Sequence, residues 1–160
     1  MLKKIFNTAK ANIKGGKSNP KITGTVTFKE TKQGVLLTAK INGLPTSQGK
    51  CGGNFFGFHI HSGSSCTGNA EDEFANSGSH YNPNDCPHPY HAGDLPPLFS
   101  NDGYAYMSVL TNNFRVKDII GKTVIIHASP DDFTSQPSGN SGKKIACGKI
   151  IWIDKLLKKS

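Results

Sequence analysis

Short segments in which apolar and polar residues alternate recur along the chain, and they constrain the fold more than any other feature. In residues 21–30, Ile22, Val26 and Phe28 share one face of an extended chain while threonines occupy the other. This period of two is typical of a half-buried strand. Comparable segments follow at 35–44, 55–61, 104–110, 123–127 and 145–153, and a weaker one at 11–14 is interpreted as an edge strand.

The residues between these segments indicate the same fold class. The chain has 18 glycines and nine prolines, which favour shaped turns over long helices. We predict an all-β domain, an eight-stranded Greek-key β-sandwich or flattened barrel with two long functional loops. Residues 1–10 are expected to form an N-terminal arm, residues 11–153 the domain, and residues 154–160 a lysine-rich tail.

The loops are predicted where alternation is absent, at residues 62–98 and 130–143. An irregular segment of such length in a compact domain is usually either functional or disordered. The first segment contains His80, His88, His91 and Asp94. These residue types are metal ligands, so the composition of this segment favours a function.

The net charge of +8 comes from 18 lysines and Arg115. The lysines are scattered, without interleaved aromatic residues, which favours a solvated surface over a nucleic-acid partner. A positive surface does attract small anions.

The chain contains no apolar run long enough to cross a membrane, and its first residues turn polar too early for a secretory signal, so we expect an intracellular, cytoplasmic protein. Four cysteines fit that expectation poorly.

All six histidines of the chain fall into an ordered pattern with one aspartate. His59 and His61 lie two apart on a predicted strand and therefore share a face, which His127 can join from a neighbouring strand. Imidazole-rich sites suit copper and zinc, and the three loop histidines with Asp94 match a tetrahedral zinc shell. An isolated pair such as His59 and His61 is more often two surface residues. The complete pattern favours two adjacent metal sites.

Five separated segments carry a family resemblance: residues 57–61, 79–83, 91–95, 124–127 and 139–148. Their sequences and order resemble the signature segments of the copper/zinc superoxide dismutases, and the similarity extends over about residues 11–153. The resemblance implies copper ligands at His59, His61, His80 and His127, and zinc ligands at His80, His88, His91 and Asp94. His80 is then shared by both ions and takes part in catalysis. Asp131 corresponds to the aspartate that links a zinc-ligand histidine to a copper-ligand histidine.

The activity implied is the dismutation of superoxide to dioxygen and hydrogen peroxide by alternating Cu(II) and Cu(I), with zinc in a structural role. The alternative is a noncatalytic copper/zinc-binding homologue, or a copper carrier of the same fold. The family also implies superoxide, a copper chaperone and a second copy of the chain as partners. Trp152, with Ile150 and Ile151, is either an apolar patch for such a homodimer or part of the core.

Two further features follow from the resemblance. Lys144 stands where the family usually has an arginine, so it is expected to guide anions by charge without the planar fork of a guanidinium; Lys143 is its rival for this role. Cys66 and Cys147 match the family's disulfide. Cys51 and Cys86 have no counterpart in the family, and they could be buried thiols, reactive thiols or a second bridge.

Overall fold

The computed structural model describes residues 7–46 and 53–153 of the chain. The predicted lysine-rich tail, most of the predicted N-terminal arm and Cys51 lie outside the described residues. No helix in the described part of the chain is long and apolar enough to cross a membrane.

The described residues form nine strands, and all of their pairings are antiparallel. The strands are β1 (Thr8–Gly15), β2 (Thr23–Thr31), β3 (Gly34–Asn42), β4 (Phe55–Phe56), β5 (Phe58–His61), β6 (Leu98–Asn101), β7 (Tyr104–Thr111), β8 (Thr123–His127) and β9 (Lys144–Trp152). A 3₁₀ turn at Ala75–Ser77 and a short helix, α1 (Val116–Ile119), complete the regular structure. The all-β prediction is confirmed, although the strand count differs from eight.

Two of the nine strands had no predicted segment of their own. Gly57 divides the predicted strand 55–61 into β4 and β5, and β6 lies between two predicted segments, where no strand was expected from the sequence. The sheet order is β4-β6-β7-β3-β2-β1-β9-β8-β5, so its two ends are consecutive in the chain and the sheet nearly closes into a barrel. Gly57 N–H donates to Ser129 O, and Gly57 O accepts from His127 N–H, both at 2.8 Å. A Cβ at Gly57 would lie 2.8 Å from Ser141 Cβ, so this close approach requires glycine.

The prediction of an edge strand at 11–14 is wrong. β1 begins at Thr8 and pairs with β2 on one side and β9 on the other. Its inward residues Ala9, Ala11 and Ile13 are at most 2% exposed. Two of the three are alanines, which give a weak hydrophobic signal in the sequence. Three residues of the predicted arm are therefore strand.

Alternation elsewhere predicted the core correctly. Val26 and Phe28 of β2 and Leu37 of β3 are fully buried, and full burial of such side chains is worth about 1.5–3 kcal/mol each. Ile150 is also fully buried, and Trp152 is half-buried and packs against the core. Of the two alternatives for Trp152, the structure supports the core position. Strands distant in sequence, such as β3 and β7, are neighbours, as Greek-key connections require.

Two long connections cover one outer face of the barrel and position the functional residues. The first loop is residues 62–97 and the second loop is residues 128–143. Backbone bridges join the first loop to β5, pairing His59 with Asp94 and His61 with His80. The strand prediction placed His59 and His61 on the face opposite the core, and there the loops bury them to 0% and 2% exposure.

Candidate metal centre

The six histidines and Asp94 converge into two groups that share one residue. Within each group the potential ligand atoms lie within 4.8 Å of one another. The first group is His59, His61, His80 and His127, and the second is His80, His88, His91 and Asp94. The structure thus brings together both ligand sets expected from the sequence, and every histidine is at most 7% exposed.

Two of these rings have their outer nitrogen occupied by a backbone carbonyl. His61 Nδ1–H donates to Gly78 O at 2.8 Å, and His127 Nδ1–H donates to Gly142 O at 3.1 Å. Because a carbonyl can only accept, Nδ1 carries the proton and each Nε2 is left with a free lone pair. The two Nε2 atoms face each other at 3.3 Å. A cation placed between them would be bound by both.

Asp131 fixes two further rings from the second loop. Its Oδ2 accepts from His59 Nε2–H at 2.7 Å, and its Oδ1 accepts from His88 Nε2–H at 2.9 Å. The Asp131 side chain is 1% exposed, and its carboxylate holds one ring of each group in a defined tautomer. A Cβ at Gly139 would lie 2.0 Å from Asp131 Oδ1, so the glycine leaves space for this carboxylate. The structure places Asp131 where the sequence resemblance predicted it.

The remaining nitrogens provide a test of whether these residues fit metal ions. His59 Nδ1, His80 Nε2 and His88 Nδ1 are buried and have no hydrogen-bond partner. His88 Nδ1 lies 3.0 Å from an Asp94 oxygen, but without hydrogen-bond geometry. An unsatisfied buried polar atom costs about 1–3 kcal/mol. Three such atoms directed into the two groups fit cation binding, which would remove that cost.

His80 is the ring that joins the two groups. Its centroid is 4.0 Å from that of His59 and 5.4 Å from that of His91. Its Nδ1 lies 2.7 Å from Asp94 Oδ1, in the second group, while its Nε2 is one of the unpartnered atoms. One imidazole therefore presents a different nitrogen to each group, as a bridging ligand requires.

Burial controls the charge of this centre. Burial, with a smaller contribution from neighbouring histidines, lowers the pKa of His127 to about 4 and that of His59 to about 2. Burial likewise holds the pKa of His61 well below its ordinary value. For Asp94, burial acts to raise the pKa, but the hydrogen bond to His80 and the nearby rings outweigh it and the net pKa is lowered. Neutral imidazoles and an ionised carboxylate are the forms that bind metals.

Gln136 of the second loop is a functional candidate that the sequence did not reveal. Its Oε1 accepts from His88 N–H at 3.0 Å, and its Nε2 donates to His88 O at 2.6 Å. Gln136 therefore holds the backbone of His88, while Asp131 holds its ring. A glutamine in an irregular segment carries no sequence signal of such a contact.

A cavity of about 810 Å³ opens onto the first group and is lined by His61, His80, His127, Lys143 and Lys144. Lys143 is exposed. Lys144 is only 15% exposed in its side chain, and its Nζ donates to Asp72 Oδ2 at 2.8 Å and Phe74 O at 3.2 Å. Both lysines expected from the sequence lie at the cavity, but Lys144 is held in an ion pair.

The predicted disulfide between Cys66 and Cys147 is confirmed, with a Cα–Cα distance of 5.6 Å. It joins the first loop to β9, next to Lys144. Phe74 and Ile125 pack around it in a small apolar cluster separate from the main core. Cys86 is a free, half-buried thiol, so it forms no second bridge within the described residues.

Comparisons with known proteins agree with this geometry. Residues 22–150 match the family model of copper/zinc superoxide dismutase (SODC). A Cu-Zn superoxide dismutase of Deinococcus radiodurans is 31% identical over 146 residues, which covers 80% of this chain and 76% of that protein. The enzyme of Legionella pneumophila is 33% identical over 139 residues, covering 82% and 79% respectively.

A solved structure agrees as well. The Cu/Zn superoxide dismutase from Brucella abortus superimposes with a TM-score of 0.74 at 25% identity, covering 89% of this chain and 98% of that one. The converging histidines, the disulfide and the matched span all lie within the same barrel. The chain belongs to the copper/zinc superoxide dismutase family.

Proposed function

We propose that this protein is a superoxide dismutase that binds copper and zinc and converts two superoxide ions and two protons into dioxygen and hydrogen peroxide. The observation that carries the proposal is the position of His80, whose two ring nitrogens face two separate ligand groups. A two-metal centre with one shared imidazole needs this arrangement.

The donor sets support an assignment of the two metals. Four imidazoles, from His59, His61, His80 and His127, suit copper, whereas three imidazoles with Asp94 suit tetrahedral zinc. Bound copper supplies alternating one-electron oxidation and reduction, which zinc lacks. Lysines 143 and 144 border the cavity on the copper side.

The protein's own groups orient the centre and handle a proton. Asp131 and the carbonyls of Gly78 and Gly142 hold rings in the tautomers that leave ligand nitrogens free. His80 Nε2 has no protein partner, so whenever it is not holding a metal it would be free to accept a proton and deliver it to the reduced product. Burial of the surrounding rings keeps them neutral and available as ligands.

Positive charge at the cavity supports guidance of the anionic substrate. Lys143 and Lys144 line the opening, and the chain carries a net charge of +8. Fields of this sign raise association rates with anions, and salt weakens the effect. We assign anion guidance to both lysines and to the wider basic surface.

A noncatalytic metal-binding homologue or a copper carrier is the alternative. It is disfavoured because the four-imidazole group is complete and borders an open cavity. The test measures superoxide decay by pulse radiolysis for the copper- and zinc-loaded protein and for His127→Ala. We expect superoxide to decay rapidly with the loaded wild-type protein and much more slowly with His127→Ala. Fully metallated protein that leaves the decay of superoxide unchanged would refute the proposal.

We also propose a homodimer and delivery of copper by a chaperone, both from the family resemblance, and a cytoplasmic location, from the sequence pattern alone. Sedimentation velocity of the full chain tests the first, because a monomer at micromolar concentration contradicts it. Copper loading in cells with and without a chaperone tests the delivery of copper, and cell fractionation tests the cytoplasmic location.

A further inference from the structure

The ammonium group of Lys144 is already engaged by the protein. Of its three N–H donors, one binds Asp72 Oδ2 and another binds Phe74 O. The partners lie about 70 residues earlier in the chain, on the first loop. A lysine that donates two hydrogen bonds inside the protein has one donor left for a ligand.

The Asp72 carboxylate is fixed independently of Lys144. Its Oδ1 accepts from Phe74 N–H at 2.9 Å, and Asp72 N–H donates to Asn69 Oδ1 at 2.9 Å. Phe74 is 6% exposed and packs against the disulfide. Burial acts to raise the pKa of Asp72, but the hydrogen bonds from Lys144 and Phe74 outweigh it, and the net pKa is lowered. Asp72 is therefore ionised at neutral pH and held where the lysine meets it.

An anion entering the cavity meets an ion pair at this point instead of a free cation. The negative charge of Asp72, 2.8 Å from Nζ, opposes much of the attraction that Lys144 alone would exert. Lys143 differs, because it is exposed and takes part in none of the ion pairs found among residues 7–46 and 53–153.

We propose that Asp72 is a positioning residue that limits the affinity of the copper-side cavity for small anions, by holding Lys144 in an internal ion pair. The proposal rests on the function proposed above and adds a residue to it. Asp72 acts through the lysine and does not touch substrate. Lys143 supplies most of the guidance while the pair is intact, and release of Lys144 strengthens anion binding.

The test compares Asp72→Asn with Glu71→Gln. Both variants remove one negative charge from the rim of the same cavity. Glu71 is exposed and is not among the partners of Lys144, so it controls for net charge. Asparagine keeps an oxygen to accept from Phe74, which preserves the local turn. Asp72→Glu, which restores the carboxylate, is the rescue variant.

Two measurements are made. Azide, a small monovalent anion, is titrated into the copper- and zinc-loaded proteins by absorbance at about 0.15 M salt, where exposed charges are strongly screened. Reductive methylation of Lys144 relative to Lys143 is followed by mass spectrometry on the metal-free proteins. The second measurement does not depend on metals or on activity.

We expect Asp72→Asn to bind azide about two- to fivefold more tightly than wild type, the range of typical ion-pair couplings. Lys144 should be methylated faster in this variant, while Glu71→Gln remains close to wild type and Asp72→Glu reverts toward it. Equal behaviour of Asp72→Asn and Glu71→Gln overturns the proposal, and so does weaker azide binding in Asp72→Asn.

Wild-type protein provides a check that needs no variant. At one pH and one salt concentration, Lys144 should be methylated more slowly than the exposed Lys143, because two internal hydrogen bonds hold its ammonium group; equal or faster methylation of Lys144 overturns the proposal. If Lys144 responds as expected but loaded wild-type protein does not dismutate superoxide, the proposed function fails while the ion pair stands.

Discussion

Loss of the disulfide between Cys66 and Cys147 should remove a large part of the protein's stability. The bridge joins residues 81 positions apart, so it restricts a large part of the unfolded chain. For a loop of this length the chain-entropy relation gives about 15 cal/mol/K, or about 4.5 kcal/mol at 25 °C. Typical domains have only about 5–15 kcal/mol in total.

The assay is urea unfolding of the metal-free protein at neutral pH, followed by circular dichroism. Metals are removed because their binding to the folded state would add stability by mass action. Oxidised wild type is compared with Cys66→Ala/Cys147→Ala, and Cys86→Ala serves as the control because Cys86 is a free thiol. Cys147 is 2% exposed, so its truncation adds about 1 kcal/mol from lost packing.

We therefore expect a loss of about 4–6 kcal/mol in the double variant and little change in Cys86→Ala. The double variant should also lose affinity for metal, because the first loop supplies Gly78 O, which accepts a hydrogen bond from the ring of His61. We expect the double variant to bind copper more weakly than wild type, in addition to its loss of stability. A stability loss below about 1 kcal/mol would refute the reasoning, since it would mean that the bridge scarcely restricts the unfolded chain.

Three further predictions concern the metal centre. Asp131→Ala should lower metal affinity at both groups about 10- to 100-fold, measured by competition with chelators; a similar loss in the neighbouring exposed control Asp132→Asn would argue against a specific role. Gln136→Ala should weaken the binding of zinc more than that of copper, because His88 of the second group is the ligand residue that Gln136 contacts. Equal losses of affinity for the two metals would contradict this. The metal-free protein should lose stability as pH falls from about 6.5 to about 4, because burial lowers the folded-state pKa of His127 to about 4 and the unfolded state then binds more protons. A shift of that size is worth about 3 kcal/mol, and pH-independent urea midpoints over this range would exclude it.

Local patterns in the sequence predicted much of the sheet. In β2 and β3 the alternation is strong because large apolar residues such as Phe28 and Leu37 occupy the inward positions. It failed in β1, where Ala9 and Ala11 are fully buried but give little signal. It also could not reveal the break at Gly57, which depends on the approach of the second loop.

The candidate ligands were predictable because histidine is rare in this chain and its spacing is ordered. The residues that position them were harder to predict. Asp131 was found through the resemblance, whereas Gln136 was missed because its partner lies 48 residues away. The pair of Asp72 and Lys144 spans 72 residues. Such contacts depend on how the first loop packs against the second loop and the start of β9. Neither the periodicity of the sequence nor the spacing of its residues predicts that packing.

The central claim is that His80 belongs to two metal sites at once. The most direct test is the copper and zinc content of His80→Ala, with His61→Ala and His91→Ala as controls that each touch one group. We expect wild-type protein to bind two ions per chain. His80→Ala should bind both metals more weakly, and each control variant should bind only one of them more weakly. If His80→Ala retained either metal with unchanged affinity, the claim would be contradicted.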